Sequence, residues 1–384
     1  MLWLDAFSDR YLNPDFCPFL SDLSKDCFVA KISSLFAYMG IEYSIETGVS
    51  LNKLKVWNEH VFAGFDTAKR SSRSVPKSLI RLADGISIND NLNKALRYAL
   101  FKIFRIQYGI PHLIPPDLLD FFPVTENNFT EENLFDALKK SGVRIIRKEP
   151  KLSRSESSLI RNIPNLLENC DLVLFKLNSL DRLGHKYGPL SEKVKRRVQY
   201  LDGLMEELVG KLDKNTVLIV MSDHGMVPVF GTDDLTAFLE DRGYKFGRDY
   251  FAFVGATYTT FWFKSPETKQ AIEHDLGTLK FGRLLTPEDR VKLGISNVGA
   301  EYGEAFFVNN EHSVSFPEFY HRRKPPAGMH GYAFCKYDSP IFLLHNGPKN
   351  SRRIDNINFV DIMPTILQLF NLPIPSYVEG RSIL

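Results

Sequence analysis

Acidic and imidazole side chains follow several of the apolar runs in this sequence. The run TVLIVM leads directly into SDHGM, which places Asp223 beside His224. Carboxylate oxygen and imidazole nitrogen are ligands that zinc and similar divalent ions take in proteins. A lone residue of either type is usually a cap, a turn or a packed side chain, so the argument depends on the joint pattern. The six residues that form it are Asp5, Asp181, His185, Asp223, His224 and His330.

The spacing of these residues favours two metal ions. Asp181 and His185 are four positions apart, so one helical turn places both on the same face. Asp223 and His224 are adjacent and converge only where the strand has ended, a turn that Gly225 permits. Six ligands suit two ions with three ligands each, and two ions about 3.5–4 Å apart can stabilise both oxygens of a phosphoryl displacement. The pattern predicts a two-metal site for phosphoryl chemistry.

These ligands can meet only if the elements that carry them end at one edge of a sheet. Short apolar runs separated by helical patterns predict an α/β fold, a doubly wound and mostly parallel sheet with helices on both faces. Ligands bind such sheets at the carboxyl ends of the strands. The predicted strands are residues 2–7, 28–33, 143–148, 171–177, 216–222 and 340–345. The predicted helices are residues 18–25, 131–140, 191–212 and 359–369.

Two stretches interrupt this alternation within a single predicted domain, residues 1–384. Residues 50–130 are predicted to form a helical and Pro-rich insertion, and residues 229–328 a cap-like insertion. Either insertion can cover the sheet edge that carries the site. The aromatic residues of the second insertion are expected to pack in its interior. They are Tyr250, Phe251, Phe253, Tyr258, Phe261 and Trp262.

The first insertion contains a predicted amphipathic helix. Leu96, Leu100, Ile103 and Phe104 recur at helical spacing and predict a packing face, while Arg97 is among the interleaved charges. The six remaining histidines are expected to be structural. They are His60, His112, His274, His312, His321 and His345.

Composition excludes several classes of protein. The 384 residues carry a formal net charge of +2, and 44% are hydrophobic, which is typical of a globular protein and does not indicate nucleic acid as the main partner. The four cysteines are far apart, without a C-x-x-C pair, which does not favour a disulfide scaffold. No leader segment or membrane span is evident. We expect a cytoplasmic protein whose partner is a small phosphate-containing substrate.

The motifs LDRLGHKYGP, SDHGM and MHGY, with the closing DIMPTILQLFNLPIPSYVEGRSIL, resemble the alkaline phosphatase superfamily. They are most similar to its type I phosphodiesterase and nucleotide pyrophosphatase branch. The resemblance implies two divalent metal ions, with zinc expected and manganese as the alternative. It also implies an alkaline phosphatase-like fold with a substrate-selecting cap at the second insertion. The implied metal ligands are Asp181, His185 and His330 for one ion and Asp5, Asp223 and His224 for the other.

The nucleophile position departs from the family pattern. Family members carry a Thr or Ser nine residues before the Thr of a TG pair. Here the pair is Thr47 and Gly48, and counting back nine positions reaches Tyr38. Tyrosine can act as a covalent nucleophile. The alternatives are Ser33, Ser34, or a water or acceptor hydroxyl activated at the metals.

Together, the motifs predict a divalent-metal-dependent phosphoesterase that hydrolyses a small phosphodiester or pyrophosphate-linked substrate. One alternative is a phosphoryl or phospho-glycosyl transferase that needs an acceptor. The other is a non-catalytic homologue that binds metal. Arg322, Arg323 and Lys324 precede His330 and either pair with a second anionic group of the substrate or form a solvated loop.

Overall fold

The computed structural model describes residues 1–33, 36, 40–65, 75–104, 112–123, 131–150, 153–335, 339–347 and 356–384. The strands of this part of the chain are β1 (Leu2–Leu4), β2 (Phe28–Ile32), β3 (Ile145–Lys148), β4 (Leu172–Leu177), β5 (Leu218–Met221), β6 (Val227–Pro228), β7 (Gly231–Asp233), β8 (Tyr250–Val254), β9 (Tyr258–Phe263), β10 (Gly282–Leu284), β11 (Ala305–Asn309), β12 (Ser313–Ser315), β13 (Gly328–Met329), β14 (Ile341–His345) and β15 (Asn356–Ile357).

The α-helices of the same residues are α1 (Pro18–Leu23), α2 (Ile41–Thr47), α3 (Leu51–Leu54), α4 (Lys77–Ile86), α5 (Asp90–Ile103), α6 (Leu134–Lys140), α7 (Ser153–Arg161), α8 (Ile163–Leu167), α9 (Ser179–Tyr187), α10 (Glu192–Val209), α11 (Leu235–Glu240), α12 (Pro266–Leu276), α13 (Pro287–Lys292) and α14 (Ile362–Leu369). Short 3-10 helices are Asp9–Tyr11, Leu119–Phe121, Ala300–Tyr302 and Phe359–Asp361.

The main sheet has seven strands in the order β15-β2-β14-β5-β1-β4-β3. All six predicted strands lie in it. β1 occupies an inner position and pairs in parallel with both β5 and β4. β14 is antiparallel to its two neighbours, β2 and β5. The predicted α/β fold with a mostly parallel sheet is therefore confirmed, with one antiparallel strand inside it.

The inner strands are apolar because helices cover both faces of the sheet. β1 and β5 are buried at every residue, as expected for parallel strands packed on two sides. One face packs against α1, α9 and α10, with Val198 and Leu201 of α10 in its core. The other face packs against α2, α6 and α14, with Ile366 of α14 in its core. The sheet is thus held between two separate apolar layers.

The direction of β14 brings a distant segment to the edge where the parallel strands end. Because β14 runs antiparallel to β5, the chain enters β14 at the end of the sheet where β5 stops. The bridge between Pro340, just before β14, and Ser8, just after β1, marks that edge. The segment that precedes β14 and carries His330 therefore reaches the same edge as the carboxyl ends of β1, β4 and β5.

A second sheet lies within the predicted cap-like insertion. It has four antiparallel strands in the order β10-β11-β9-β8 and an aromatic core. The aromatic residues predicted to pack are buried, which confirms that expectation. Trp57 from the first insertion joins the same core, with its ring 5.2 Å from Tyr258 and 5.0 Å from Phe306 between centroids. The two insertions thus share one core, while the domain limits stay predictions.

The packing face predicted for the helix of the first insertion is confirmed only in part, because Leu100 packs against the cluster of Val75, Ile80 and Phe101 whereas Phe104 is exposed. α5 buries Arg97 and Phe101, whereas Ile103 is 71% exposed. The Arg97 Nε and Nη2 donate to the two carboxylate oxygens of Asp84 on α4 at 2.8 and 2.6 Å, and Nη1 donates to the Ile114 carbonyl at 2.7 Å. The planar guanidinium is buried because each of these donors has an acceptor in place.

All four cysteines are free thiols. Among the helices that the structure describes, none has the combined length and apolar character needed to cross a bilayer.

A buried ion pair fixes the start of α9, the helix that carries Asp181 and His185. Glu156 on α7 is fully buried, and its Oε1 accepts the Ser179 backbone N–H at 3.1 Å. Its Oε2 pairs with Arg197 Nη2 on α10. Arg197 Nε donates to the Ser179 hydroxyl at 2.8 Å. The first residue of α9 is thus held by two other helices.

We expect Glu156→Ala to lower the free energy of unfolding by about 3–5 kcal/mol, because it removes the carboxylate that compensates the largely buried Arg197. Glu207→Ala is the matched control. It breaks the exposed pair with Arg161 and should leave stability nearly unchanged. Urea unfolding of the two variants measures the difference, and equal losses would contradict this role of Glu156.

Candidate metal centre

The six predicted ligands come together in two groups of three at the carboxyl edge of the main sheet. Within each group, one ligand atom of each residue lies within 4.8 Å of the others. The groups are drawn from the ends of β1 and β5, from α9 and from the segment after β13. The first group is Asp181, His185 and His330, and the second group is Asp5, Asp223 and His224.

The first group is built on α9. Asp181 Oδ1 lies 3.1 Å from His185 Nε2, one helical turn further along, as their spacing predicts. The same Oδ1 lies 3.6 Å from His330 Nε2. Gly184 lets the helix lie close to the strand that follows β5, because a Cβ at this position would lie 2.3 Å from the Met226 sulfur. The glycine of the D-x-x-G-H motif therefore serves packing against the neighbouring ligand loop.

The second group joins the ends of β1 and β5. Asp5 follows β1 directly, and its backbone N–H donates to the Leu177 carbonyl at 3.0 Å. Its Oδ1 lies 3.2 Å from His224 Nε2. Asp223 Oδ1 lies 4.0 Å from the same nitrogen. Two inner strands that are neighbours in the sheet thus supply all three ligands of this group.

The two groups are immediate neighbours. The rings of His224 in the second group and His330 in the first stack with centroids 3.7 Å apart and an interplanar angle of 14°. The ring centroids of His185 and His330 are 5.0 Å apart. The two sets of predicted ligands therefore adjoin each other directly.

Backbone carbonyls orient two of the imidazoles. His185 Nδ1 lies 2.9 Å from the Gly328 carbonyl, and His224 Nδ1 lies 2.8 Å from the Gly225 carbonyl. A carbonyl can only accept, so each Nδ1 carries the proton and leaves Nε2 as the metal-binding nitrogen. Such a hydrogen bond on the far nitrogen is the usual support of a metal-bound histidine.

Burial and close charges shift the pKa values of the ionisable groups in this centre. Burial, followed by repulsion from Asp223 and Asp181, raises the pKa of Asp5 to about 6. Burial disfavours the imidazolium of His224, but Asp223 and Asp5 outweigh it and raise its pKa to about 10 in the metal-free protein. Burial and the neighbouring His224 and His185 lower the pKa of His330 well below its ordinary value. A largely buried cluster of carboxylates and imidazoles is the donor set that fits divalent metal ions.

Lys176 on β4 is a charged member of the centre that sequence reasoning missed. Its Nζ lies 3.3 Å from Asp223 Oδ2 and 3.9 Å from Asp5 Oδ2, and it pairs with Glu42. Burial opposes the ammonium, but these three carboxylates raise its pKa. Both aspartates turn Oδ2 to Lys176 and Oδ1 to His224. A single lysine inside the apolar run LVLFKL was the available sequence signal.

Of the three predicted nucleophilic residues, only Ser33 lies in the part of the chain that the structure describes. Tyr38 and Ser34 lie outside the described residues, so the assignment of Tyr38 stays a prediction. Ser33 directly follows β2, and its N–H donates to the Ile357 carbonyl at 2.8 Å. β2 is parallel to β5, because β14 is antiparallel to both, so the chain leaves β2 at the edge that carries the metal ligands.

A cavity of about 820 Å³ opens over the two groups. Besides the ligands, its described lining includes residues of α2 and α9 and the loop before β13. Two of these, Arg182 and His321, were not predicted as site residues, and His321 was expected to be structural. The cavity is large enough for a small phosphoester.

We expect zinc binding to release protons. His224 has a pKa of about 10 without metal, whereas zinc binds the neutral imidazole, so apparent affinity should rise with pH toward about 10. Titration of zinc into metal-free protein at pH 7 in two buffers of different ionisation enthalpy measures this release. His224→Ala should reduce it by about one proton, and His345→Ala, at the opposite end of β14, should not. Identical binding heats in both buffers would contradict the expectation.

Similarity to solved structures extends over nearly the whole chain. Murine ectonucleotide pyrophosphatase/phosphodiesterase 5, as an inactive form in complex with AMP, has a TM-score of 0.66 and 16% identity, covering 97% of this chain and 95% of that chain. The human protein of the same name has a TM-score of 0.65 and 16% identity, covering 99% and 96%. At this level of identity the likeness shows a shared fold.

Curated relatives match over short segments. GPI ethanolamine phosphate transferase 3 of Eremothecium gossypii is 32% identical over 75 residues, which are 20% of this chain and 7% of that protein. GPI ethanolamine phosphate transferase 2 of Debaryomyces hansenii is 40% identical over 57 residues, 15% of this chain and 6% of that protein. The chain thus spans less than a tenth of the length of these relatives.

The sequence pattern of one protein family matches residues 1–287, which is most of the chain. With the shared fold, this match confirms the resemblance inferred from the motifs. This protein belongs to the type I phosphodiesterase/nucleotide pyrophosphatase family of the alkaline phosphatase superfamily.

Proposed function

We propose that this protein is a divalent-metal-dependent phosphoesterase that hydrolyses a small phosphodiester or pyrophosphate-linked substrate. The observation that carries the proposal is the juxtaposition of two three-ligand groups, with His224 stacked on His330 at 3.7 Å, beneath one cavity. Membership of a phosphodiesterase family supports the same reaction class.

The proposed ligands divide between two ions. Asp181, His185 and His330 would hold one, and Asp5, Asp223 and His224 the other, with zinc expected and manganese as the alternative. When bound, two such ions polarise the phosphoryl oxygens and neutralise the charge that develops on the attacking and leaving oxygens.

The protein's own side chains contribute in two ways. The ammonium of Lys176 holds Asp223 and Asp5 through one carboxylate oxygen each, which orients the other oxygen toward His224. The attacking group is proposed to be the Tyr38 phenolate, whose oxygen would form a bond to phosphorus as the bond to the leaving alcohol breaks. The alternatives are Ser33, Ser34 or a water molecule.

We expect metal-loaded protein to hydrolyse bis(p-nitrophenyl) phosphate, and Asp223→Ala to reduce kcat/KM by more than about 100-fold, because it removes a proposed ligand and a partner of Lys176. Asp249→Ala, in an exposed loop pair with Arg248, is the matched control and should retain activity. Undiminished turnover by Asp223→Ala would refute the ligand assignment.

Tyr38→Phe tests the attacking group separately. If the phenolate attacks phosphorus, this variant should lose turnover while binding zinc as the wild type does, because only the hydroxyl is removed. Zinc titration and p-nitrophenol release on the same samples give both measurements. Full activity in Tyr38→Phe would assign the attack to Ser33, Ser34 or water.

The segments shared with GPI ethanolamine phosphate transferases favour a second candidate, a phosphoryl-type transferase that passes the group to an acceptor alcohol. Hydrolysis and transfer are separated by the products formed with and without an added alcohol such as glycerol. A transferase would release p-nitrophenol from bis(p-nitrophenyl) phosphate only when the alcohol is present, and the phosphoryl group would appear as a phosphoester of that alcohol. A hydrolase would release it equally in both.

A further inference from the structure

A second cavity adjoins the one over the metal ligands. Its volume is about 920 Å³, compared with about 820 Å³ for the first. Lys94, Arg182, His185 and His321 line both cavities. A ligand held at the first cavity can therefore extend past these side chains into the second.

The second cavity is strongly basic. Of the described residues that line it, six are lysine or arginine and one, Asp90, is acidic. One of the six, Arg197, is already paired with Glu156. The basic lining residues are Lys94, Arg182, Lys186, Arg197, Arg323 and Lys324.

Three segments that are far apart in sequence create this charge. α5 provides Lys94, α9 provides Arg182, and the loop before β13 provides Lys324. Asp90 at the start of α5 holds the loop in place, because its Oδ2 accepts the backbone N–H groups of Arg322 and Arg323 at 3.1 and 3.0 Å. The acidic residue thus orders the basic loop instead of pairing with its side chains.

Lys94 is the basic residue best placed between the two cavities. In the described part of the chain, no carboxylate oxygen lies within 4.0 Å of its Nζ. The side chain is half-buried, and burial lowers its pKa despite the more distant Glu318 and Asp90. An ammonium in a cavity without such a partner is suited to bind an anion of the ligand.

His321 connects this cluster to the metal ligands. Its Nδ1 donates to Glu318 Oε1 at 2.5 Å, and its ring lies 6.3 Å from that of His185 between centroids. His185, one of the six predicted ligands, itself lines both cavities, and His321 stands beside it.

We propose that the second cavity binds a phosphate group of the substrate distinct from the phosphodiester at the metal centre. The substrate class would then be a small phosphodiester that carries a further phosphate, held by Lys94 and Lys324. This inference rests on the proposed function for the position of the diester. No covalent step is involved, because the basic residues act by charge and hydrogen bonding.

Binding of two matched ligands to zinc-loaded protein tests the inference without turnover. Thymidine 3′,5′-bisphosphate should bind about tenfold more tightly than thymidine 5′-monophosphate in calorimetric titration, the effect of about one hydrogen bond between charged groups. Lys94→Met and Lys324→Met should each reduce this preference. Lys102→Met, on the exposed face of the same α5, should retain it. Equal affinity for the two ligands, or a preference unchanged in both variants, would overturn the inference.

A kinetic comparison separates this inference from the proposed function. The p-nitrophenyl ester of thymidine 5′-phosphate is compared with the same ester that carries a 3′-phosphate, and the latter should have a lower KM in wild type than in Lys94→Met. If the bisphosphate binds preferentially but neither ester is cleaved, the phosphate site stands and the proposed function fails. If both esters are cleaved with the same KM, the function stands and the phosphate site is refuted.

Discussion

The close approach of three largely buried aspartates is the constraint on which the rest of the site depends. Asp5, Asp181 and Asp223 lie around one cavity, where low polarisability strengthens their mutual repulsion. Two kinds of contact offset this repulsion. The imidazoles turn Nε2 toward the carboxylates, and Lys176 contacts one oxygen of Asp5 and one oxygen of Asp223. In the metal-free protein the chain itself therefore offsets the repulsion, and the same aspartates raise the pKa of both Lys176 and His224.

The order and direction of the strands in the main sheet bring these charged side chains together. Two inner strands end side by side, and an antiparallel strand brings the segment with His330 back to the same edge. The apolar layers on both faces fix those strand ends, while the Glu156 and Arg197 pair anchors the helix that bears two further ligands. Apolar packing in the interior of the sheet thus stabilises the fold, and the unfavourable clustering of carboxylates is confined to the edge of the sheet.

Much of the fold and the proximity of the six metal-type residues could be predicted from the sequence, since each ligand type follows an apolar run or lies at helical spacing. Lys176 could not, because its role depends on β4 lying beside β1. The sequence showed Arg97 only as one of the charges interleaved in a helix, and its burial is explained by the Asp84 carboxylate and the Ile114 carbonyl, which are brought to it by tertiary packing. Lys94 and His321 line the same two cavities although more than two hundred residues separate them in sequence, and local patterns do not encode such tertiary packing.

The shared core of the two insertions, with Trp57 packed on Tyr258 and Asp90 bound to the loop of Arg323, has an evolutionary consequence. The predicted cap-like insertion shares its core with the first insertion and is therefore not expected to be an exchangeable module. A chimera that took only the second insertion from a relative would inherit part of an aromatic core and part of a basic surface, with no matching half. We therefore expect that a change in the shape of this shared core needs matched substitutions in two separate stretches of the gene.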